Sequence, residues 1–288
     1  MNALGAGRGG AGFVGVLGWP LDTTLSPILH NVAFRQLGLD WVYLRWPVAP
    51  PDLEDALRGM RALGASGANV TMPHKATIVE HLDELTGEAE AIGAVNTVQR
   101  VGDRMIGHNT DIGGFGEFLM GDAGFHPKGA SALVLGAGGA ARAVVKALAD
   151  LEVRSISVAA RKIENARAVA SLVTEGHPKT EARVVTWDHA HEDVGSNALV
   201  VNATPLGMGG EAPLQDAEFN SNQYVVDLIY APPSTPLLER ARAQGASAWG
   251  GLGMLIRQAA ASFEIWTGRQ APLDAMSAAA IRAIGHLD

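Results

Sequence analysis

The chain contains no cysteine, so disulfide bonds and thiolate chemistry are excluded. Its nine histidines are scattered without the spacing of a metal site, and we predict no metal. Basic residues are also few, because 22 stand against 30 acidic residues and the formal net charge is −8. That balance argues against a general binder of nucleic acid or of anionic membranes.

Long apolar runs are absent as well. No uninterrupted run approaches the roughly 20 residues of a membrane span, and the glycine-rich N-terminus lacks the apolar core of a signal peptide. We therefore expect a cytoplasmic protein. The length of 288 residues favours about two domains, and a hydrophobic content of 47% is sufficient for two cores.

Strand-like and helix-like segments alternate along the first part of the chain. The pattern predicts strands at residues 13–17, 43–46 and 67–71, with helices at 27–37 and 52–63 between them. This order predicts a βαβ arrangement with parallel strands.

A second series of alternating segments begins after a helix predicted at residues 113–123 and a loop at 124–129. Further strands and two final helices follow, at residues 131–135, 155–159, 182–186, 198–202 and 224–228 and at residues 252–267 and 273–283. The glycine-rich strand therefore starts a second βαβ series, and an α/β protein is expected.

The strand at 131–135 runs into a glycine-rich turn, Gly136-Ala137-Gly138-Gly139-Ala140, and then an alanine-rich helix. Gly136 would allow the tight turn, and Gly138 would let the backbone approach a pyrophosphate. The small residues that follow bring the helix N-terminus close to the strand, so its N–H groups face the phosphates. A second glycine pattern, Gly5-Ala6-Gly7-Arg8-Gly9-Gly10, has no strand before it, and we interpret residues 1–11 as a flexible tail.

The next strand ends in two cations, Arg161 and Lys162. An NAD-specific site would place Asp or Glu there to bind the ribose 2′-hydroxyl, so this end favours a 2′-phosphate and therefore NADP. Arg161 would stack on adenine while pairing with the phosphate, and Lys162 would add a point charge. The alternative interpretation is that Arg161 and Lys162 only begin the next helix and face solvent.

Lys75 lies in a frame of small polar residues, with Asn96 following 21 residues later and Asp111 a further 15 residues on. A lysine paired with an aspartate and flanked by amides suits a polyhydroxylated substrate, because amides satisfy hydroxyls while Lys75 and Asp111 manage a proton. The chemistry indicated is the conversion of an alcohol to a ketone. An ordinary solvated lysine after a Pro-His turn is the alternative.

Eight motifs, taken in order, resemble the shikimate dehydrogenase family and cover nearly the whole chain. They are Thr24-Leu25-Ser26-Pro27 with His30-Asn31, Asn69-Val70-Thr71-Met72-Pro73-His74-Lys75, Gly93-Ala94-Val95-Asn96-Thr97, Asn109-Thr110-Asp111, the glycine turn at 136–140, Asn202-Ala203-Thr204-Pro205-Leu206-Gly207-Met208, Asp227-Leu228-Ile229-Tyr230, and Gly251-Leu252-Gly253-Met254-Leu255-Ile256-Arg257-Gln258-Ala259. The resemblance implies an N-terminal α/β substrate domain with a mostly parallel sheet (12–112 and 252–288), a Rossmann NADP-binding domain (113–251) and a cleft between them. It also implies reversible reduction of 3-dehydroshikimate to shikimate by NADPH, a step of aromatic amino-acid biosynthesis.

The resemblance also implies residue roles. Lys75 would hold the C3 oxygen and act as general acid in reduction and base in oxidation, while Asp111 orients its ammonium. The other substrate-binding residues would be Thr24, Ser26, Thr71, Asn96, Tyr230 and Gln258. The cofactor-binding residues would be Gly136, Ala137, Gly138, Gly139, Ala140, Arg161, Lys162, Asn202, Ala203, Thr204, Leu206, Met208, Ile229, Gly251 and Met254. His30, His74 and His108 are given no part in the chemistry.

Ser26 before Pro27 also predicts a helix N-cap with proline at the first helical position. That helix end would attract the substrate carboxylate, with Thr24, Ser26 and Tyr230 supplying hydroxyls where no arginine is evident. The family usually has serine at position 24 and Asn-Arg-Thr at 160–162, so Thr24 and the Ala160-Arg161-Lys162 segment are departures from its pattern.

These departures leave open a quinate/shikimate dehydrogenase that uses NAD or both cofactors. A methylene-tetrahydrofolate dehydrogenase-like protein shares the broad two-domain plan, but the Asn109-Thr110-Asp111 and Gln258 motifs argue against it. A noncatalytic metabolite sensor is disfavoured by intact Lys75 and Asp111. We expect a small-molecule substrate, no nucleic-acid or membrane partner, and a monomer or homodimer.

Overall fold

The computed structural model describes residues 11–21 and 24–285, with only the backbone described for Glu175. Within these ranges the chain forms two compact units, the first made of residues up to 110 and from 256 onward, the second of residues 111–255. The predicted domain boundaries, after residues 112 and 251, fall within four residues of these divisions. The tail predicted at 1–11 lies, except for its last residue, outside the described residues.

The described residues form strands and helices that alternate as the periodicity predicts. In chain order they are β1 (Gly12–Gly18), α1 (Ser26–Gln36), β2 (Trp41–Pro47), α2 (Leu53–Leu63), β3 (Gly67–Val70), β4 (Glu84–Leu85), α3 (Gly87–Ile92), β5 (Thr97–Val101), β6 (Arg104–His108), α4 (Asp111–Glu117), β7 (Ser131–Leu135), α5 (Gly139–Asp150), β8 (Ser155–Ala160), α6 (Ile163–Gly176), β9 (Glu181–Thr186), α7 (Ala190–Asp193), β10 (Leu199–Asn202), β11 (Tyr224–Asp227), α8 (Pro236–Ala243), β12 (Ser247–Gly250), α9 (Leu252–Thr267) and α10 (Leu273–Ile284). Short 3₁₀ segments occur at Pro50–Asp52, Thr77–His81, Trp187–His189 and Val194–Ser196, and α4 continues as a π-helical turn at Phe118–Asp122.

The sheet of the first unit has the strand order β2-β1-β3-β5-β6-β4. Strand β1 runs parallel to both β2 and β3, and β4 runs parallel to β6. Strand β5 is antiparallel to β3 and to β6. The prediction of a mostly parallel sheet in an α/β unit is confirmed.

The sheet of the second unit has the order β12-β11-β10-β7-β8-β9, and every pairing in it is parallel. The order reverses at β7, the strand that leads into the glycine turn, as it does in dinucleotide-binding sheets. Ligands of such open sheets bind outside the carboxyl ends of the strands at this reversal. The predicted Rossmann fold is confirmed.

One element that the periodicity did not reveal is the hairpin of β5 and β6. A two-residue turn, Gly102-Asp103, joins the strands and pairs Val101 with Arg104 at one end and Thr97 with His108 at the other. A glycine beside Asp or Asn between short alternating strands is a hairpin signal that was present in the sequence. The hairpin matters because its register places His108, and the residues that follow it, beside Asn96.

Each unit has its own apolar core. In the first unit, Leu53, Leu57 and Met60 of α2 follow a spacing of four and three residues, so they bury one face of the helix against Val70 and Val98 of the sheet. In the second unit the core contains Leu133, Leu135, Val200, Val225 and Leu238, among others. These cores hold the strand ends that carry the predicted site residues.

Candidate active site

The first unit brings several predicted substrate residues to the carboxyl edge of its sheet. Because β1 and β3 are parallel neighbours, Trp19 and Thr71 follow them at the same edge. The Thr71 N–H donates to the Leu17 carbonyl at 2.9 Å, and the Trp19 N–H donates to the Met72 carbonyl at 2.9 Å. These bonds fix the start of the segment that carries Lys75.

The backbone of Lys75 lies beside that of Asn96. The Lys75 carbonyl accepts the Val95 N–H at 2.8 Å, and the Asn96 carbonyl accepts the Val70 N–H at 2.8 Å. Two motifs that are distant in the sequence therefore meet through backbone hydrogen bonds. The Lys75 side chain is half-buried.

His74 takes a structural position next to Lys75. Its ring Nε2 lies 2.7 Å from the Val48 carbonyl oxygen, and the side chain is buried. A carbonyl only accepts, so this ring nitrogen carries the hydrogen and the ring is committed to the backbone. The geometry supports leaving His74 out of the chemistry.

Asn96 is held at the end of the β5–β6 hairpin. Its Oδ1 accepts the Thr110 N–H at 2.7 Å, and its Nδ2 donates to Thr110 Oγ1 at 2.9 Å and to Gln258 Oε1 at 3.3 Å. Both Asn96 and Gln258 are buried. The structure therefore joins two of the predicted substrate-binding amides, and Asp111 directly follows Thr110 in the chain.

A network of buried polar side chains supports this pair, and sequence reasoning missed it. Asn69 Nδ2 donates to Thr97 Oγ1 and to Ser262 Oγ, both at 3.0 Å, and Ser262 Oγ lies 3.1 Å from Thr110 Oγ1. The Tyr43 hydroxyl donates to Asn69 Oδ1 at 2.8 Å. Asn69 and Thr97 stand inside the quoted motifs, and Ser262 follows Gln258 at helical spacing of four residues, which was the available signal.

The N-terminus of α1 differs from the prediction. Ser26 is the first helical residue, and Leu25 occupies the N-cap position in an αR conformation without a side-chain cap bond. The predicted N-cap role of Ser26 is wrong, because a capping residue needs an extended backbone to turn its oxygen toward the following N–H groups. Thr24 Oγ1 instead accepts the Ser26 N–H at 3.3 Å and donates to Ser26 Oγ at 3.2 Å.

The sequence makes no arginine evident at this helix end, and the structure brings one there. Arg45 Nη2, from the carboxyl end of β2, donates to the Thr24 carbonyl at 3.1 Å. Arg45 is 19 residues beyond Ser26 in the chain, and only the pairing of β2 with β1 brings it here. The two hydroxyls predicted to bind the carboxylate thus have a guanidinium as a neighbour.

The glycine turn of the second unit fits a dinucleotide. Gly136 has φ +114°, and a Cβ there would lie 2.9 Å from the Ala203 carbonyl oxygen, so both conformation and space require glycine. A Cβ on Gly138 would meet no atom within 4 Å, which leaves the open space that a pyrophosphate needs. Helix α5 begins at Gly139 and directs its first N–H groups to that space.

The cations predicted for the 2′-phosphate lie next to this turn. The Gly136 N–H donates to the Ala159 carbonyl at 2.8 Å, and Arg161 and Lys162 follow directly after the end of β8. Both side chains are exposed. The exposed cations and the absence of an acid between Ala159 and Lys162 fit a 2′-phosphorylated ribose.

The buried carboxylate of Asp227 makes hydrogen bonds to two further segments predicted to bind the cofactor, those that contain Asn202 and Ile229. Asp227 accepts hydrogen bonds from Asn202 Nδ2 at 2.9 Å and from Thr235 Oγ1 at 2.7 Å, and Asn202 Oδ1 accepts from Thr204 Oγ1 at 2.7 Å. The Ile229 N–H also donates to Asp227 at 3.1 Å. Burial raises the pKa of Asp227, and these hydrogen bonds oppose the rise. Asp227 therefore positions Asn202, Thr204 and Ile229.

A cavity of about 360 Å³ lies elsewhere in the second unit. Its lining includes Trp187, Asp188, His191, Glu211 and Asp216, and Leu206 is the one predicted site residue among the lining residues that the structure describes. Carboxylates repel phosphates, so this cavity does not suit the phosphates of a dinucleotide. The glycine turn is the predicted place for them.

Several predicted roles remain predictions. The pairing of Lys75 with Asp111 is one, and the part of Tyr230 in carboxylate binding is another. The contacts of Ala137, Ala140, Met208, Gly251 and Met254 with the cofactor are also still predictions.

Two absences concern the described residues only. Among residues 11–21 and 24–285, no group of three or more His, Cys, Asp or Glu side chains is arranged to hold a metal ion. In the same part of the chain, no helix is long and apolar enough to cross a membrane.

A dinucleotide-binding parallel sheet, together with a second α/β unit that presents a lysine beside buried amides, is typical of a two-domain nicotinamide-dependent dehydrogenase. Profiles of known families agree. The shikimate dehydrogenase substrate binding domain matches residues 16–98, shikimate / quinate 5-dehydrogenase matches residues 122–207, and the shikimate 5′-dehydrogenase C-terminal domain matches residues 251–281.

Individual proteins show the same likeness. Shikimate dehydrogenase (NADP(+)) of Salinibacter ruber is 44% identical over 265 residues, which cover 90% of this chain and 93% of that protein. The crystal structure of shikimate 5-dehydrogenase from Thermus thermophilus with NADP(H) and shikimate has a TM-score of 0.85 at 37% identity, covering 94% of this chain and 99% of that one. Quinate dehydrogenase from Corynebacterium glutamicum in complex with NAD has a TM-score of 0.86 at 30% identity, with coverages of 94% and 99%. The chain belongs to the shikimate dehydrogenase family.

Proposed function

We propose that the protein is an NADP-linked shikimate dehydrogenase that reversibly reduces 3-dehydroshikimate to shikimate, a step toward aromatic amino acids. The single observation that carries the proposal is the junction of three motifs in the first unit. Asn96 bonds Gln258 at 3.3 Å, and the backbone beside Asn96 bonds the Lys75 carbonyl. Hydroxyl-binding amides thus stand next to the only lysine among the first 127 residues.

In this proposal each group has one task. Asn96, Thr71 and Gln258 bind the ring hydroxyls, because amides and hydroxyls both donate and accept hydrogen bonds. NADPH supplies the hydride. Lys75 donates the proton to the C3 oxygen in reduction and removes it in oxidation, and Asp111 stabilises and orients the ammonium.

Quinate is the second candidate substrate, favoured by the likeness to the NAD-bound quinate dehydrogenase of Corynebacterium glutamicum. Quinate has a tetrahedral carbon with an extra hydroxyl where shikimate has a planar alkene carbon. It therefore needs more room at the carboxylate. Rates for shikimate and quinate, each with NADP and with NAD, decide between the two candidates, and higher kcat/KM for quinate would overturn the proposal.

The methyl group of Thr24 takes up room at that carboxylate. We expect Thr24→Ser to keep shikimate kcat/KM within about tenfold, because the serine hydroxyl can make the same bonds to Ser26 and a half-buried methyl should contribute only the lower end of the usual range of about 1–3 kcal/mol. The unmodified protein should still prefer shikimate to quinate. A loss well beyond tenfold on shikimate would show that the methyl is part of the binding surface.

Arg161 and Lys162 should determine the choice of cofactor. Replacing both with glutamine should raise KM for NADP by about 10- to 100-fold, because a hydrogen bond to a charged group contributes about 1.5–3 kcal/mol and solvent screening of the two exposed side chains keeps their joint contribution within about that range. KM for NAD should stay within about twofold, since NAD lacks the 2′-phosphate. Arg154→Gln, an exposed arginine of the same unit, is the matched control and should change neither value. Equal losses with both cofactors would assign the pair to adenine stacking or packing.

A further inference from the structure

Arg45 occupies an electrostatically unusual place. It lies at the N-terminus of α1, where the aligned peptide dipoles of the helix already make a positive end that repels cations. The first turn of α1 contains no acidic residue to offset this charge. A guanidinium and a helix N-terminus together favour an anion at the same position.

The hydrogen bond to Thr24 connects this charge to the hydroxyl pair. Arg45 Nη2 holds the Thr24 carbonyl at 3.1 Å, and the Thr24 side chain bonds both the N–H and the hydroxyl of Ser26. The guanidinium has five N–H donors, and this bond uses one of them. Arg45 therefore constrains the backbone that aims the Thr24 hydroxyl and adds a full positive charge.

The position of Arg45 follows from the edge of the sheet. In β2, side chains alternate between faces, so Arg45 lies on the same face as Tyr43, which is covered by α1. Asn31 of α1 accepts the Tyr43 N–H at 2.8 Å and donates to the Tyr43 carbonyl at 3.0 Å. These bonds clamp β2 against α1 and hold Arg45 in register with the helix N-terminus.

We propose that Arg45 is a positioning and specificity-determining residue that orders Thr24 and attracts the carboxylate of the substrate. The inference rests on the proposed function, because it takes the Thr24–Ser26 hydroxyl pair as the place of that carboxylate. Arg45 acts on substrate binding and takes no part in proton or hydride transfer.

The test compares Arg45→Gln, Arg45→Met and Arg45→Lys with the unmodified enzyme. Glutamine and methionine should raise KM for shikimate by about five- to twentyfold, less than the loss of a buried charge-assisted contact would cause, because Arg45 is exposed and solvent screens its charge, with kcat within about twofold. Lysine keeps the charge and should restore KM to within about threefold of the unmodified value. Arg35→Gln, which removes an exposed charge from the other end of α1, should leave KM unchanged.

Two further measurements separate charge attraction from a merely structural role. Raising the ionic strength should raise KM of the unmodified enzyme for shikimate and have a smaller effect on Arg45→Gln, because salt screens the charge. With the methyl ester of shikimate, which carries no negative charge, the rise in KM caused by Arg45→Gln should be clearly smaller than with the acid, because only the ordering of Thr24 is then lost. An equal defect on the acid and the ester would overturn the proposal.

Asp22 supplies the last control, since it is the acidic residue nearest to Thr24 in the chain and lies outside the described residues. Asp22→Asn should leave KM for shikimate unchanged or lower it. If Asp22→Asn reproduced the Arg45→Gln defect and the double variant added nothing, Arg45 would act through an ion pair and the proposal would be wrong. An unmodified enzyme inactive on shikimate would instead refute the proposed function, whereas an active enzyme with an unaltered Arg45→Gln KM refutes this inference alone.

Discussion

Lys75→Ala should lower kcat for shikimate oxidation by roughly 10²–10⁴, the usual contribution of a positioned general acid–base group, while shikimate affinity changes much less. The physical reason is that the methyl group of alanine cannot take the proton from the C3 hydroxyl as the hydride leaves. Steady-state rates at the nicotinamide absorbance band, together with the Kd for shikimate, provide the measurement.

Lys75→Arg is the matched variant, because it keeps the positive charge but cannot release a proton near neutral pH. It should remain impaired in kcat, whereas a role limited to charge would be restored by arginine. Lys128→Ala, an exposed lysine of the second unit, should retain full activity. A Lys75→Ala enzyme with near-normal kcat would remove Lys75 from the mechanism.

Acid should destabilise the first unit through His30. The ring is fully buried. It stacks on the Tyr43 ring with 4.4 Å between ring centroids and lies tilted against the Trp266 ring at 5.2 Å, and neither nitrogen has a hydrogen-bond partner among the described residues. Burial lowers the pKa of His30 from 6.5 to about 3. Asn69 opposes that shift, but its Oδ1 accepts the Tyr43 hydroxyl at 2.8 Å, so the ring stays unpaired and neutral.

The sign follows from proton binding. Below pH 6.5 the unfolded chain protonates this histidine and the folded chain does not, so the free energy of unfolding falls as the pH drops toward 3. At about 1.4 kcal/mol per pH unit, the loss at pH 4 is about 3 kcal/mol. Urea denaturation of the unmodified protein and of His30→Phe, from pH 7 to pH 4, isolates this contribution because carboxylate effects cancel in the difference. A difference between the two proteins that stays constant across this range would contradict the prediction.

The main elements of both units could be predicted because hydrophobic periodicity is a local property. Helix α9 was expected at 252–267 and is observed with the same limits, and the strands at 155–159 and 182–186 differ from β8 and β9 by one residue. The β5–β6 hairpin escaped because neither of its strands alternates strictly between apolar and polar residues, and the short elements α8 and β12 were also missed. Short elements depend on their neighbours more than on their own pattern.

The glycine turn, the cations after β8 and the lysine motif were determined by the sequence alone, because each depends on a few consecutive residues. A positive φ at Gly136 and the missing acid before Lys162 are properties of their own segments. Only the tertiary structure decided which side chains the buried amides contact and which charged side chain lies beside the predicted carboxylate-binding hydroxyls. Asn96 reaches Gln258 because a hairpin and a distant helix converge, and Arg45 reaches Thr24 because two strands pair in register. Contacts between residues far apart in the chain follow from packing and register, which no short stretch of sequence encodes.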